Sequence, residues 1–161
     1  MTRGTDRVVP DADRVMDADI HTPSSTTLHL ALIVLRVGTA ALFMAHALVR
    51  VMKPGSIPQF GLFLEKSGVP QGIAVVWLIT VFELGGGLLM ALGFHSRYMA
   101  AGFGVILLGG IALIHRHLGW FVGEHGTGGS EYSVALLLAL LVIASADISG
   151  ADRRRSPPRA R

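Results

Sequence analysis

The sequence predicts an all-α fold: a polytopic membrane protein built as a four-transmembrane-helix bundle, with a short interfacial helix in its first outer loop. Three observations predict it. Four long apolar runs without an internal proline fill the middle of the 161 residues. Charge collects in the tails and loops. Lys and Arg divide unevenly between the two sides that the runs would separate. Hydrophobic residues make up 51% of the chain and the mean hydropathy is +0.55. Their distribution matters more than their number, because no run carries a polar face wide enough for water.

Residues 1–27 mix Arg3, Arg7 and Arg14 with Asp6, Asp11, Asp13, Asp17 and Asp19. A secretory signal places a basic start before an apolar core; this stretch has neither and reads as a disordered cytoplasmic tail. The membrane domain is expected over residues 28–151, with helices at about 28–50, 72–94, 98–115 and 131–148. A hydrocarbon layer about 30 Å thick takes about 20 helical residues, and backbone groups within it must bond inside their own segment. Between the first two runs, Pro58 can open a short helix, and Gly68 followed by Pro70 can close it. Phe60, Phe63 and Leu64 share one face of it, as in a helix lying on the outer membrane surface. The second outer loop carries Trp120 and Phe121, then Gly123, Gly126, Gly128 and Gly129. Residues 152–161 form a basic tail with Pro157 and Pro158, read as disordered.

Orientation follows from the cations. Arg3, Arg7, Arg14, Arg97, Arg153, Arg154, Arg155, Arg159 and Arg161 fall on one side; Arg50, Lys53, Lys66 and Arg116 fall on the other. The richer side is cytoplasmic, so both termini are expected in the cytoplasm of a plasma (inner) membrane protein. Small residues spaced four apart, such as Ala41 and Ala45, Gly87 and Ala91, and Ala100 and Gly104, allow helices to pack closely in lipid. The row Gly85–Gly87 marks a close backbone approach. The absence of cysteine excludes disulfides, thiol chemistry, cysteine-held iron–sulfur clusters and c-type haem. The basic residues lie mostly in tails, so no nucleic-acid partner is expected.

Ionisable residues inside a span are costly and mark sites. Arg36 lies about 12 Å from the expected inner end of the first run, and Glu83 about 13–14 Å from that of the second. These matched depths predict a buried Arg36–Glu83 pair, either a purely structural clamp or part of a proton or cofactor site. His46 and His115 lie about 25–27 Å from the inner side, and Glu131 opens the fourth run there. Together these three can hydrogen-bond a quinone, relay protons, bind a metal or, through the two histidines, hold a b-type haem; two plain interface histidines are the alternative. The spacing is no metal motif, and no metal site is expected. The candidate quinone or proton site is therefore Arg36, His46, Glu83, His115 and Glu131, with no certain cofactor.

A set of residues in order then resembles a known family. It comprises Leu35-Arg36-x-Gly38, Phe43, His46, Lys53, Phe60, Phe63 and Ser67-Gly68-Val69-Pro70. It continues through Glu83-x-Gly85-Gly86, Leu88, Gly93, Arg97, His115, Gly119, Phe121, Glu131-Tyr132 and Asp147. Over roughly residues 30–152 the chain is similar to the DoxX family of small four-helix integral membrane proteins. Ala47 stands where that family usually has glycine, and the acidic first 27 residues are longer than its usual tail. The family includes relatives of the DoxD-type subunit of thiosulfate:quinone oxidoreductase. The resemblance therefore implies a quinone-linked subunit of a membrane-associated oxidoreductase system. Two alternatives stay open: a non-enzymatic anchor or assembly subunit for a soluble redox partner protein, and a small-molecule or proton transporter, which at this size would need a homo-oligomer.

Overall fold

The computed structural model describes residues 24–114, 118–121 and 129–155, with side chains in the last stretch as far as residue 147. The expected N-terminal tail before residue 24, His115 and its two neighbours, the glycine loop at 122–128 and residues 156–161 lie outside the described residues. The fold is all-helical: α1 (Ser25–Met52), α2 (Ser56–Lys66), α3 (Gly72–Leu92), α4 (Ser96–Leu113) and α5 (Glu131–Arg155). Among the described residues, α1, α3 and α4 are long and apolar enough to cross a membrane.

Local chemistry sets the ends. α1 starts three residues ahead of its apolar run because Ser24 caps it, its hydroxyl accepting the Thr27 N–H at 3.2 Å. It stops at Met52 because Pro54 drives Lys53 into an extended conformation. α2 opens two residues before Pro58 and closes at Gly68, whose φ of +90° lets the Val69 N–H return to the Leu64 carbonyl. α3 ends the same way, with Gly93 at φ +83° and the Phe94 N–H on the Leu89 carbonyl. It is therefore two residues shorter than its apolar run. At α4, the Arg97 N–H is held by the Asp147 carboxylate at 3.2 Å, an acidic side chain placed where the helix dipole is positive. α5 continues past its apolar run to Arg155.

The helices pack α1 on α3, α3 on α4, α4 on α5 and α5 back on α1, with α2 on the start of α3. The core is small and aromatic. Phe43 and Phe103 stack at 4.1 Å, and Phe82 meets Phe103 at 5.0 Å. Ala40, Met90, Ala100, Leu140 and Ile143 close around them. Large apolar side chains face outward instead, among them Val34, Leu78 and Val105, each at least 70% exposed. A surface of this kind suits lipid and not water. Of the three consecutive glycines in α3, Gly87 makes the tight approach, since a Cβ there would lie 2.6 Å from Met44 Cγ. Gly85 has open space. Ala47, which stands where the family usually has glycine, is fully buried.

α2 is tied to α3 by two features. Gly61 and Gly72 are in backbone contact, where a Cβ on Gly61 would fall 2.8 Å from the Ile73 nitrogen. Glu65 Oε1 also accepts the Gly72 N–H at 3.0 Å.

Candidate functional site

The register of α1 against α3 decides the site. Gly87 of α3 lies against Ala40 and Met44, Gly93 against Arg36, and Thr80 against Arg50. Arg36 is therefore level with Gly93, ten residues or about 15 Å from Glu83. The expected Arg36–Glu83 pair does not form. The depth estimate set the inner ends of the two apolar runs level, whereas α1 runs on past the end of α3 by about eleven residues, from Arg36 down to Ser25. Side-chain lean widens the gap. A helical side chain tilts toward its own N-terminus, so Arg36 leans toward the α3–α4 turn while Glu83 leans toward the α2 end. The Arg36 guanidinium is half-buried over Gly93, and its Nε finds no hydrogen-bond partner among the described residues.

The same lean brings Glu83 to a different arginine. Arg50, two residues from the end of α1, leans inward and donates from Nη1 to Glu83 Oε2 at 2.6 Å and to Thr80 Oγ1 at 2.9 Å. Arg50 is 8% exposed and Glu83 3%. Thr80 passes its own proton to the Val76 carbonyl at 2.7 Å, which leaves its lone pairs for Arg50. The Arg50 guanidinium also lies 5.6 Å from the Phe60 ring centroid of α2, within cation–π range. Nε and Nη2 of Arg50, and Oε1 of Glu83, make no hydrogen bond to any described residue.

Those atoms matter because Arg50 and Glu83 line a half-open cavity of about 1050 Å³ to which all five helices contribute. Its walls are mostly apolar. Its polar groups gather at the α2 end: His46, Arg50, Lys53, Ser56 and Glu83, beside the Phe60 ring. His46 precedes Arg50 by one helical turn, so both lie on the cavity face of α1. Phe43, one turn further, links this face to the aromatic core.

Of the residues expected from sequence, the structure brings His46 and Glu83 together on this cavity and sends Arg36 to the opposite end. His115 lies outside the described residues. Glu131, the half-buried first residue of α5, stands beside the cavity wall, to which its neighbours Tyr132 and Ser133 contribute. Its backbone N–H bonds to the Trp120 carbonyl at 3.0 Å. The residue that sequence reasoning passed over is Arg50, set aside as a loop cation because the apolar run ends at Val49. Its spacing of four from His46 and seven from Phe43 was the available signal.

Among the described residues no group of three or more His, Asp or Glu is placed to hold a metal ion. The cavity can instead accept a flat or elongated apolar molecule and offer its polar head guanidinium N–H donors, a carboxylate and an imidazole. The DoxX family model matches residues 31–116, which take in most of α1 and all of α2, α3 and α4. The match stops before α5, short of the span over which the motifs run. No curated protein and no solved structure matches. The family model covers more than half of the chain, and its span includes Arg50, Phe60, Thr80 and Glu83: the chain belongs to the DoxX family.

Proposed function

We propose that this DoxX-family membrane protein is a quinone-linked subunit of a membrane-associated oxidoreductase system. In this reading α5 crosses the bilayer beside α1, α3 and α4, α2 lies at the outer surface, and both termini are cytoplasmic in the plasma membrane. The observation that carries the proposal is the polar end of the cavity. A quinone ring is flat and apolar and has two carbonyl oxygens that accept hydrogen bonds. The unused N–H groups of Arg50 match such an oxygen, Phe60 offers a ring face, and the volume slightly exceeds the roughly 300–1,000 Å³ of small-molecule pockets. The residues present therefore fit a quinone headgroup.

A bound quinone would supply two-electron redox capacity. The chain's own residues bind and orient the ring through Arg50, hold Arg50 through Thr80 and Glu83, and exchange protons at the His46 imidazole and the Glu83 carboxylate. The sequence has no cysteine and no recognisable electron-carrying motif, so a partner protein delivers the electrons.

The test is quinone binding to purified protein, with His46→Ala, His115→Ala and Arg50→Met compared with wild type. The proposal expects saturable binding that weakens in His46→Ala and by more than tenfold in Arg50→Met, since a hydrogen bond to a charged group contributes about 1.5–3 kcal/mol. His115→Ala reports whether that residue joins the site. No binding by wild type, or equal binding by all the variants, refutes the proposal and leaves the anchor role in front.

A further inference from the structure

The cavity does not end at its own walls. Leu42 of α1 and Tyr132 and Leu136 of α5 line it on one side, and the same three residues line a second, apolar cavity of about 350 Å³ in the seam between α1 and α5. The rest of this shallow groove is formed by Val34, Leu35, Gly38 and Thr39 on α1 and by Ala135 and Ala139 on α5. A Cβ built on Gly38 would meet nothing within 4 Å. Along α1 the seam runs from Leu42 back to Val34, about 12 Å. It leads away from Arg50 and toward the middle of the helix. Polarity therefore falls along one path, from Arg50, Lys53 and Ser56 at the α2 end to a mostly aliphatic groove near mid-helix, where Thr39 is the one polar side chain besides Tyr132. Tyr132, 53% exposed, stands at the junction.

We infer that the α1–α5 seam is the channel for the apolar chain of the ligand whose head lies at Arg50. The ligand class is thus a polar ring carrying a long aliphatic or isoprenoid chain, entering sideways from the bilayer between α1 and α5. This rests on the quinone reading for the identity of the head and adds the route and the chain. Head and chain lie in the order that a bilayer imposes on any amphipathic molecule, with the polar group near the boundary and the chain toward the centre. Gly38 and the two alanines keep the seam open because any larger residue would fill it. Lipid tails are as apolar as leucine, so the seam adds little affinity of its own. Its part is steric: it gives the chain of a head seated at Arg50 a way out along α1 and α5.

The experiment measures binding of two probes to the full-length protein in nanodiscs. One is a benzoquinone carrying only small ring substituents, and the other is the same ring with a decyl chain. Gly38→Leu fills the seam from α1, and Ala135→Leu fills it independently from α5. Circular dichroism and thermal unfolding establish that each variant is folded. The expected result is binding of the decyl compound weakened about tenfold or more in both variants, equivalent to about 1.4 kcal/mol or more, with the chainless ring unchanged. Unchanged binding of both probes in both variants, or an equal fall for both probes, overturns the channel while leaving the ring site standing. If neither probe binds wild type, the quinone reading fails and the channel with it.

Discussion

Removing Arg50 or Glu83 singly and together tests the register on which the site depends. Arg50→Met takes away three contacts: the 2.6 Å ion pair to Glu83, the 2.9 Å hydrogen bond to Thr80 and the cation–π contact with Phe60. It leaves a carboxylate 3% exposed with no donor among the described residues. Glu83→Leu leaves a guanidinium with Thr80 as its one remaining acceptor among the described residues. Breaking a buried pair from one side costs about 3–5 kcal/mol, whereas replacing both partners by apolar residues is often near neutral. The double variant should therefore be more stable than either single one, with a coupling of at least about 2 kcal/mol. Thr80→Val removes only a hydrogen bond and should cost about 1 kcal/mol. Arg36 is the control. It lies about 15 Å along the helix axis from Glu83, so Arg36→Met and Glu83→Leu should add to within about 0.5 kcal/mol. The assay is thermal or denaturant unfolding in detergent, read by circular dichroism. Additivity at Arg50 and Glu83, together with coupling at Arg36 and Glu83, would refute the register and restore the pairing expected from apolar-run depths.

Three further outcomes follow from the packing and the topology. Gly72→Ala should lose about 1–3 kcal/mol by overpacking, because its new Cβ would run into the Gly61 carbonyl; a melting temperature equal to wild type would show that α2 is not fixed on α3 there. Gly93→Ala should lose about 1–2 kcal/mol, because φ is +83°, and about the same in Arg36→Met, since the guanidinium that the new methyl meets is the free end of a flexible side chain; an unchanged melting temperature would show that this turn is not in the left-handed conformation. Reporter fusions at residue 161 and near residue 126 should lie on opposite sides of the membrane, and a shared side would refute a crossing by α5.

What the sequence made legible was local. Helix positions could be read from apolar runs and from glycine and proline punctuation, because both act within a few residues. The α2 end at Gly68 is such a case, whereas Gly93 ends α3 two residues before the end of its apolar run. That Glu83 is buried was also legible, since a lone carboxylate in an apolar run has nowhere else to go. Its partner was not. Pairing depends on the offset between two helices, which is set by Gly87 closing on Ala40 and Met44, and on the opposite lean of side chains on antiparallel helices. Nothing in either apolar run encodes that offset by itself. Arg50 was hidden further by its place one residue beyond the run, where a cation reads as loop. The cavity was the least legible feature, because it arises where five helices fail to close, not from any motif.

Lipid changes what the cavity means energetically. The cavity is half open, so it is a groove bordered by the bilayer and not a sealed void within a packed core. An apolar groove open to a bilayer is expected to take up acyl chain whenever no ligand is there. Binding is then an exchange of one chain for another, with apolar contacts nearly equal on the two sides. Selectivity must come from what a lipid chain lacks, a polar head that reaches the unused N–H groups of Arg50. This assigns different work to the two ends of the path. In the proposed reading, the seam beside Gly38 would decide which molecules can enter, and Arg50, held in place by Glu83 and Thr80, which of them stays.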